Sequence, residues 1–139
     1  MHKEFFFGKR SMGNLRTLDP RLQHIMREAL EASPYDFAII EGYRTFERQQ
    51  RLYAQGKTFI DGISRKGKHN HSPSLAVDIV PWPIVDEWEN PFRFYVIAGI
   101  ILSTAKRLGY NLRWGGDWDG DGSRVDQRLH DLPHFELLD

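Results

Sequence analysis

Apolar side chains recur at helical spacing soon after the start of the chain. Asp19 and Pro20 predict a helix start, because Asp is a favoured N-cap and Pro suits the first helical position. The spacing predicts that this helix ends near Ser33-Pro34. Its apolar positions are Leu22, Ile25, Met26, Ala29 and Leu30. The segment before it, which includes Phe5-Phe6-Phe7, is expected to pack on the same domain.

Two more helices are predicted further along the chain. Thr45 can cap a helix that Gly56 can end. The longest helix opens at Asn90-Pro91 and runs to about Leu108, where Gly109 closes it. Because this helix is apolar nearly all round, it is expected to be central and buried.

Short apolar runs predict strands between these helices. The predicted strands are 37–43, 75–80, 111–114 and 134–137. In the second strand, Ala76, Asp78 and Val80 share one face, and the polar residues 56–74 before it are expected to form a long loop. The order of elements predicts an α+β fold, a small and mostly antiparallel sheet with helices packed on one side, in a single domain spanning 1–139.

Composition narrows the choice of chemistry. The 139 residues carry a formal net charge of +0, so no overall field draws the chain to nucleic acid or an anionic membrane. The most apolar stretch, Tyr95 to Leu102, is too short to span a bilayer. No signal peptide is recognised at the N-terminus, so synthesis in the cytoplasm is expected, and we expect a monomer. The absence of cysteine means that a metal site would need His and carboxylate ligands.

Four of the six histidines lie close to two predicted strands. His71 precedes the strand that carries Asp78, and His134 opens the last strand. Catalytic zinc usually takes three such ligands and leaves a fourth position for water. We therefore predict that His71, Asp78 and His134 bind zinc.

Two further residues suit hydrolysis at such an ion. Asp131, held three residues before His134 by the intervening Pro133, is placed to move a proton between zinc-bound water and the leaving amine. Arg44, at the end of the first predicted strand, is the candidate cation for the oxyanion of the tetrahedral intermediate.

Four ordered motifs resemble those of a known family. They are Glu41-Gly42-Tyr43-Arg44-Thr45, the segment from His71 to Asp78, Trp114-Gly115-Gly116-Asp117-Trp118, and Asp131-Leu132-Pro133-His134-Phe135. Together they resemble the zinc L-alanyl-D-glutamate peptidases of phage endolysins, relatives of the zinc D-alanyl-D-alanine peptidases that share a metal-site fold with Hedgehog domains. The resemblance covers about Asp19 to Leu137.

The resemblance implies both a reaction and a setting. The reaction is hydrolysis of the L-Ala–D-Glu bond in the stem peptides of bacterial peptidoglycan. By the same likeness His71, Asp78 and His134 match the zinc ligands, Asp131 the catalytic carboxylate and Arg44 the substrate-binding arginine. The setting is lysis of the host by a phage or prophage, with release through a holin pore so that the enzyme reaches the cell wall.

The chain departs from the family pattern at two positions near the first ligand. His69 stands where the family usually has Ser, and Ser74 stands where it usually has Gly. Both positions lie where substrate would be bound, so we list His69 and Ser74 as substrate-side candidates. His130 is a third candidate, as an outer partner of the site or as a substrate contact.

Several alternatives stay open at this point. Asp78 could form a structural ion pair with Arg44 instead of binding metal. Asp117, Asp119 and Asp121 imitate the start of a calcium loop, although the expected Glu is replaced by Arg128. The chain could also be a D-alanyl-D-alanine carboxypeptidase or dipeptidase, a non-haem iron oxygenase, or a non-catalytic binding module with a structural zinc.

Overall fold

The computed structural model describes residues 4–57, 67–117 and 131–138. In this part of the chain, four helices and four strands follow one another. The helices are α1 (Lys9–Leu15), α2 (Pro20–Ala32), α3 (Phe46–Ala54) and α4 (Phe92–Leu108). The strands are β1 (Phe37–Glu41), β2 (Ala76–Pro81), β3 (Leu112–Trp114) and β4 (His134–Leu137). The predicted α+β class is confirmed, as are the positions of three helices and four strands.

Helix starts and ends follow the signals in the sequence. The Asp19 carboxylate accepts a hydrogen bond from the Arg21 amide at 2.9 Å and so caps α2. Thr45 caps α3 by accepting a hydrogen bond from the Arg48 amide. Gly109 ends α4 in the left-handed conformation, at φ +85°, which glycine adopts without steric cost.

The strands form one antiparallel sheet in the order β1-β2-β4-β3. Asp78 of β2 lies opposite His134 of β4, and it also pairs with Glu41 of β1 beyond a shift in register. The sheet therefore brings together residues that are far apart in the sequence. The site described below lies at this point.

The two faces of the sheet have different environments. One face packs with α2 and α4 in the main hydrophobic core. Its strand residues include Phe37, Ile39, Val77, Ile79, Phe135 and Leu137. Because side chains alternate along a strand, Asp78, His134 and Glu136 lie on the opposite face. The polar residues of the site are thus separated from the main core by the sheet itself.

Helix α4 was predicted to be central and buried, and the structure buries it along one side only. Phe94, Ile97 and Ile101 are buried, whereas Phe92 and Tyr95 are exposed. A helix that packs on one face of a sheet is covered on the side that meets the sheet, and its opposite side faces away from it. Among the described residues, no helix is both long and apolar enough to cross a bilayer.

Helix α1 was not predicted, and it protects the edge of the sheet. Ser11 accepts a hydrogen bond from the Ile39 amide at 3.0 Å, and the Asn14 side chain donates to the Ile39 carbonyl at 2.8 Å. These two side chains bind backbone groups of the edge strand β1, which would otherwise be available for pairing with another strand.

Candidate metal and catalytic site

Three side chains converge on the polar face of the sheet. His69 Nε2 lies 3.2 Å from Asp78 Oδ1 and 3.2 Å from His134 Nδ1, and His134 Nδ1 lies 3.1 Å from Asp78 Oδ1. The three atoms form a nearly equilateral triangle. Among the described residues, this is the group of His and acidic side chains that is close enough to share a metal ion.

Separate parts of the chain position these three residues. Asp78 and His134 are register partners on β2 and β4. His69 lies in a short 3₁₀ turn, Lys68–Asn70. This turn is tied to the end of the first strand, because the Arg44 amide donates to the His69 carbonyl at 2.7 Å and the Asn70 side chain donates to the Arg44 carbonyl at 2.9 Å.

Each imidazole has an acceptor on its far nitrogen. His69 Nδ1 lies 2.7 Å from the carbonyl oxygen of Gly42, which can only accept a hydrogen bond. His134 Nε2 lies 2.8 Å from Glu136 Oε1. In a neutral imidazole only one ring nitrogen carries a proton. If the far nitrogen carries it, the near nitrogens, His69 Nε2 and His134 Nδ1, each present a lone pair to the centre of the triangle. Metal-binding histidines are usually held in this way.

The electrostatics of the triangle favour a positive charge at its centre. Burial alone raises the pKa of Asp78, but the positive charge of His69 and the hydrogen bonds that doubly protonated His134 and His69 would donate outweigh burial and hold that pKa well below its usual range. Burial lowers the pKa of His134, but its hydrogen bonds to Asp78 and Glu136 outweigh burial and raise that pKa. The site therefore stabilises a carboxylate and a cation side by side. The same negative potential would stabilise a bound metal ion.

The distances also suit a small tetrahedral ion. Ligand atoms at roughly 2.0–2.1 Å from zinc are about 3.3–3.4 Å apart in a tetrahedron. The observed separations are 3.1–3.2 Å. Each side chain would need to move by only a few tenths of an ångström, so the donor set fits the ion that the sequence predicts.

The structure brings to this group a different histidine from the one that the sequence predicts. His71, the predicted first ligand, is half-buried and does not belong to the triangle, whereas its neighbour His69 does. His71 lies seven residues before Asp78 and His69 lies nine before it. His71 was predicted from its place just before the second strand and from the family motif, and neither signal shows that the 3₁₀ turn Lys68–Asn70 brings His69 to the triangle.

Asp131 lies beside the triangle. Its amide donates to the Gly115 carbonyl at 2.9 Å, and its own carbonyl accepts from the His134 amide at 3.1 Å. Burial, followed by the negative charge of Asp78, raises the pKa of Asp131. A carboxylate with a raised pKa is suited to taking up and giving back a proton.

Arg44 lies beside the triangle, and two side chains that are close to it in the sequence bind its guanidinium. Its Nη2 donates to Glu41 Oε1 at 2.7 Å, and its Nη1 donates to Gln49 Oε1 at 3.0 Å. Glu41 also pairs with Arg48. Arg44 Nη2 lies 3.6 Å from Asp78 Oδ2, so the alternative ion pair exists, but it uses the oxygen of Asp78 that does not face the histidines.

A protein-family model described as phage L-alanyl-D-glutamate peptidase matches residues 3–138. The chain belongs to this family. The L-alanyl-D-glutamate peptidase of Escherichia phage T5 is 35% identical over 138 residues, which cover 96% of this chain and 98% of that protein.

Other members and relatives agree with this assignment. The peptidoglycan L-alanyl-D-glutamate endopeptidase CwlK of Bacillus subtilis (strain 168) is 30% identical over 114 residues, 74% of this chain and 61% of CwlK. The crystal structure of the Serratia marcescens L-Ala D-Glu endopeptidase ChiX superposes with a TM-score of 0.75 at 29% identity, covering 95% of this chain and 90% of that one. This match confirms the predicted fold.

The remaining candidate residues of this member of the phage L-alanyl-D-glutamate peptidase family lie in different environments, and some of them lie outside the described residues. Ser74 is fully buried, and its hydroxyl donates to the Ala76 carbonyl at 2.7 Å, so it stabilises a turn instead of facing substrate. No residue other than glycine has positive φ in the described parts of the chain, so Ser74 fits its turn. His130, Asp119 and Asp121 lie outside the described residues, and Asp117, which is described, stays a predicted calcium ligand.

Two residues of this family member's site were missed in the sequence. Glu136 binds His134, and Gln49 binds Arg44. A signal for Glu136 exists, because residues i and i+2 of a strand share a face. For Gln49 the helical pattern gives no signal, since a polar residue near a helix start is normally solvated.

Proposed function

We propose that this chain is a zinc-dependent endopeptidase that hydrolyses the L-Ala–D-Glu bond of peptidoglycan stem peptides. The convergence of His69, Asp78 and His134 beside Asp131 carries the proposal, because it joins a metal-type donor set to a proton-transferring carboxylate. The bond specificity is supported by the names of the relatives, which are L-alanyl-D-glutamate peptidases or endopeptidases.

In this proposal His69, Asp78 and His134 hold the zinc ion. The predicted set contained His71 in place of His69, and the geometry supports His69. Zinc bound here would polarise the scissile carbonyl and lower the pKa of a bound water to roughly 7. Metals other than zinc bind the same kinds of donor atoms. The proposal therefore includes the identity of the metal as zinc.

Asp131 and Arg44 supply the rest of the chemistry. Asp131 accepts the proton of the attacking water and passes it to the leaving amine, for which its raised pKa suits it. Arg44 stabilises the negative charge that develops on the carbonyl oxygen. The buried Nε of Arg44 makes no hydrogen bond within the described residues, so a substrate oxygen there would satisfy an otherwise unpaired donor.

The biological setting that we propose is cell-wall degradation by a phage or prophage endolysin. The match to a phage enzyme over 96% of this chain and 98% of that enzyme supports it. Release through a holin pore and the monomeric state stay predictions from the sequence.

The main rival function is that of a D-alanyl-D-alanine peptidase. It uses the same metal-assisted hydrolysis but cleaves the D-Ala–D-Ala bond. Digestion of purified peptidoglycan followed by mass spectrometry of the new termini separates the two. We expect new amino-terminal D-Glu and carboxy-terminal L-Ala. Release of free D-Ala without new D-Glu termini would contradict the proposal, and Asp131→Asn serves as the inactive control.

A binding module with a structural zinc is the second rival. Asp131 and the held guanidinium of Arg44 argue against it, because a structural site needs neither a proton carrier nor an oxyanion donor. Turnover of peptidoglycan by the zinc-loaded protein, absent in Asp131→Asn, would exclude this rival.

A further inference from the structure

Glu136 is a buried carboxylate that divides its two oxygens between two partners. Oε1 accepts from His134 Nε2 at 2.8 Å, and Oε2 accepts from Arg113 Nη2 at 2.8 Å. Glu136 lies two residues after His134 on β4, and Arg113 is its register partner on β3. The sheet thus builds a chain of contacts that runs from Arg113 through Glu136 to the imidazole of His134.

This chain of contacts determines which nitrogen of His134 faces the triangle. A carboxylate only accepts hydrogen bonds, so His134 Nε2 must carry the proton. The lone pair of the neutral ring is then on Nδ1, the atom that lies 3.1 Å from Asp78 Oδ1. Without Glu136, the ring could exchange tautomers or rotate about χ2, and either change would turn the lone pair away from the ion.

Arg113 has a different part in the same arrangement. A buried carboxylate with only one partner would pay a desolvation penalty and could swing about its own torsions. The guanidinium of Arg113 fixes the second oxygen and offsets that penalty. Glu136 thus links Arg113 to His134.

We propose that Glu136 and Arg113 are positioning residues that pre-set His134 for metal binding. This inference rests on the proposed metal centre. Outer carboxylates of metal-binding histidines commonly contribute about 10- to 100-fold to metal affinity. Neither residue belongs to the group of described side chains that could hold the ion.

The test measures zinc affinity by competition with a chromophoric chelator in the 139-residue chain. We expect Glu136→Ala to weaken zinc binding by about 10- to 100-fold, with a smaller loss in Glu136→Gln, which keeps an acceptor but loses the charge. Arg113→Gln should lose less than Glu136→Ala. Glu87→Gln is the matched control, because Glu87 is also buried and paired with an arginine, Arg93, but has no contact with a histidine among its described bonds.

A second readout separates positioning from general stability. In zinc-loaded wild type, long-range ¹H–¹⁵N spectra should show His134 metal-bound at Nδ1 and protonated at Nε2, with the Nε2 proton signal changed in Glu136→Gln. Circular dichroism of the metal-free proteins checks that each variant is folded. If Glu136→Ala does not fold, Glu136→Gln and Arg113→Gln carry the test.

Folded Glu136 variants that bind zinc as tightly as the wild type would overturn the inference. A wild-type chain that binds no zinc at all would instead overturn the proposed metal centre. Equal losses in Glu136→Gln and Glu87→Gln would also overturn the inference, because the effect would then be one of general stability.

Discussion

Gly115 and Asp131 are packed so closely that no side chain fits between them. A Cβ atom at Gly115 would overlap the carbonyl oxygen of Asp131, and the two residues share a backbone hydrogen bond of 2.9 Å. Glycine is therefore needed here for close approach of two chain segments. The contact fixes the backbone that presents the Asp131 carboxylate.

The first prediction follows from this contact. Gly115→Ala should push the Asp131 backbone away from β3 and lower kcat by about 100-fold, the cost expected for a displacement near 1 Å. Zinc affinity should weaken as well, because the Gly115 amide donates to the His134 carbonyl at 2.8 Å and the His134 amide donates to the Asp131 carbonyl at 3.1 Å. Gly99→Ala is the control, since a Cβ there meets no atom within 4 Å. Unchanged kcat in Gly115→Ala would contradict the positioning of Asp131 by this contact.

The second prediction concerns Asp131 itself. Asp131→Asn keeps the size of the side chain but cannot carry the proton, so kcat should fall by about 10²- to 10⁴-fold. Zinc content, measured by atomic emission, should stay at the wild-type level. Substantial turnover by the Asn variant would assign proton transfer to another group.

The third prediction concerns the hydrogen bond between Gln49 and the Arg44 guanidinium. Gln49→Met removes the acceptor of Arg44 Nη1 while filling similar volume. A mispositioned guanidinium stabilises the transition state less, so kcat should fall by about 10-fold with a smaller change in KM. Gln23→Met on α2 is the matched control, because Gln23 bonds only the Leu18 carbonyl in the described structure. A loss confined to KM would show that Gln49 affects substrate binding alone.

The fourth prediction is a pH dependence of stability away from the site. Hydrogen bonds from Arg93 and from the Val85 amide lower the pKa of Glu87 to about 2. Because the folded-state pKa lies below the unfolded one, this stabilisation is present above about pH 4.5 and is lost as the pH falls towards 2. Glu87→Gln should thus lower the thermal midpoint at pH 7, and the difference from wild type should shrink below pH 4. A constant difference across this range would contradict the ion pair.

The parts of the fold that the sequence predicts well are those with local signals. Asp19-Pro20 and Gly109 mark helix ends by their own conformational preferences, and the alternation along β2 places Asp78 on the polar face. Helix α1 escaped prediction because its role is to bind the edge of β1, and Ser11 and Asn14 do this through contacts with a distant segment.

The site shows the same limit. Asp78, His134, Asp131 and Arg44 were predicted to lie together, and the structure brings them together. The first histidine of the set, His71, was predicted from its place before β2 and from the resemblance to the family motif, and neither signal shows which of two nearby histidines a turn brings to the triangle. Tertiary contacts, namely those of the 3₁₀ turn with Gly42 and Arg44, decide that His69 enters the triangle.

The most direct test of the account is the zinc content and affinity of three single variants of the 139-residue chain, His69→Ala, His71→Ala and His134→Ala, measured after loading and desalting. We predict that His69→Ala and His134→Ala lose stoichiometric zinc and peptidoglycan hydrolysis, whereas His71→Ala retains one zinc per chain. Retention of tight zinc by His69→Ala together with its loss in His71→Ala would contradict the triangle of His69, Asp78 and His134.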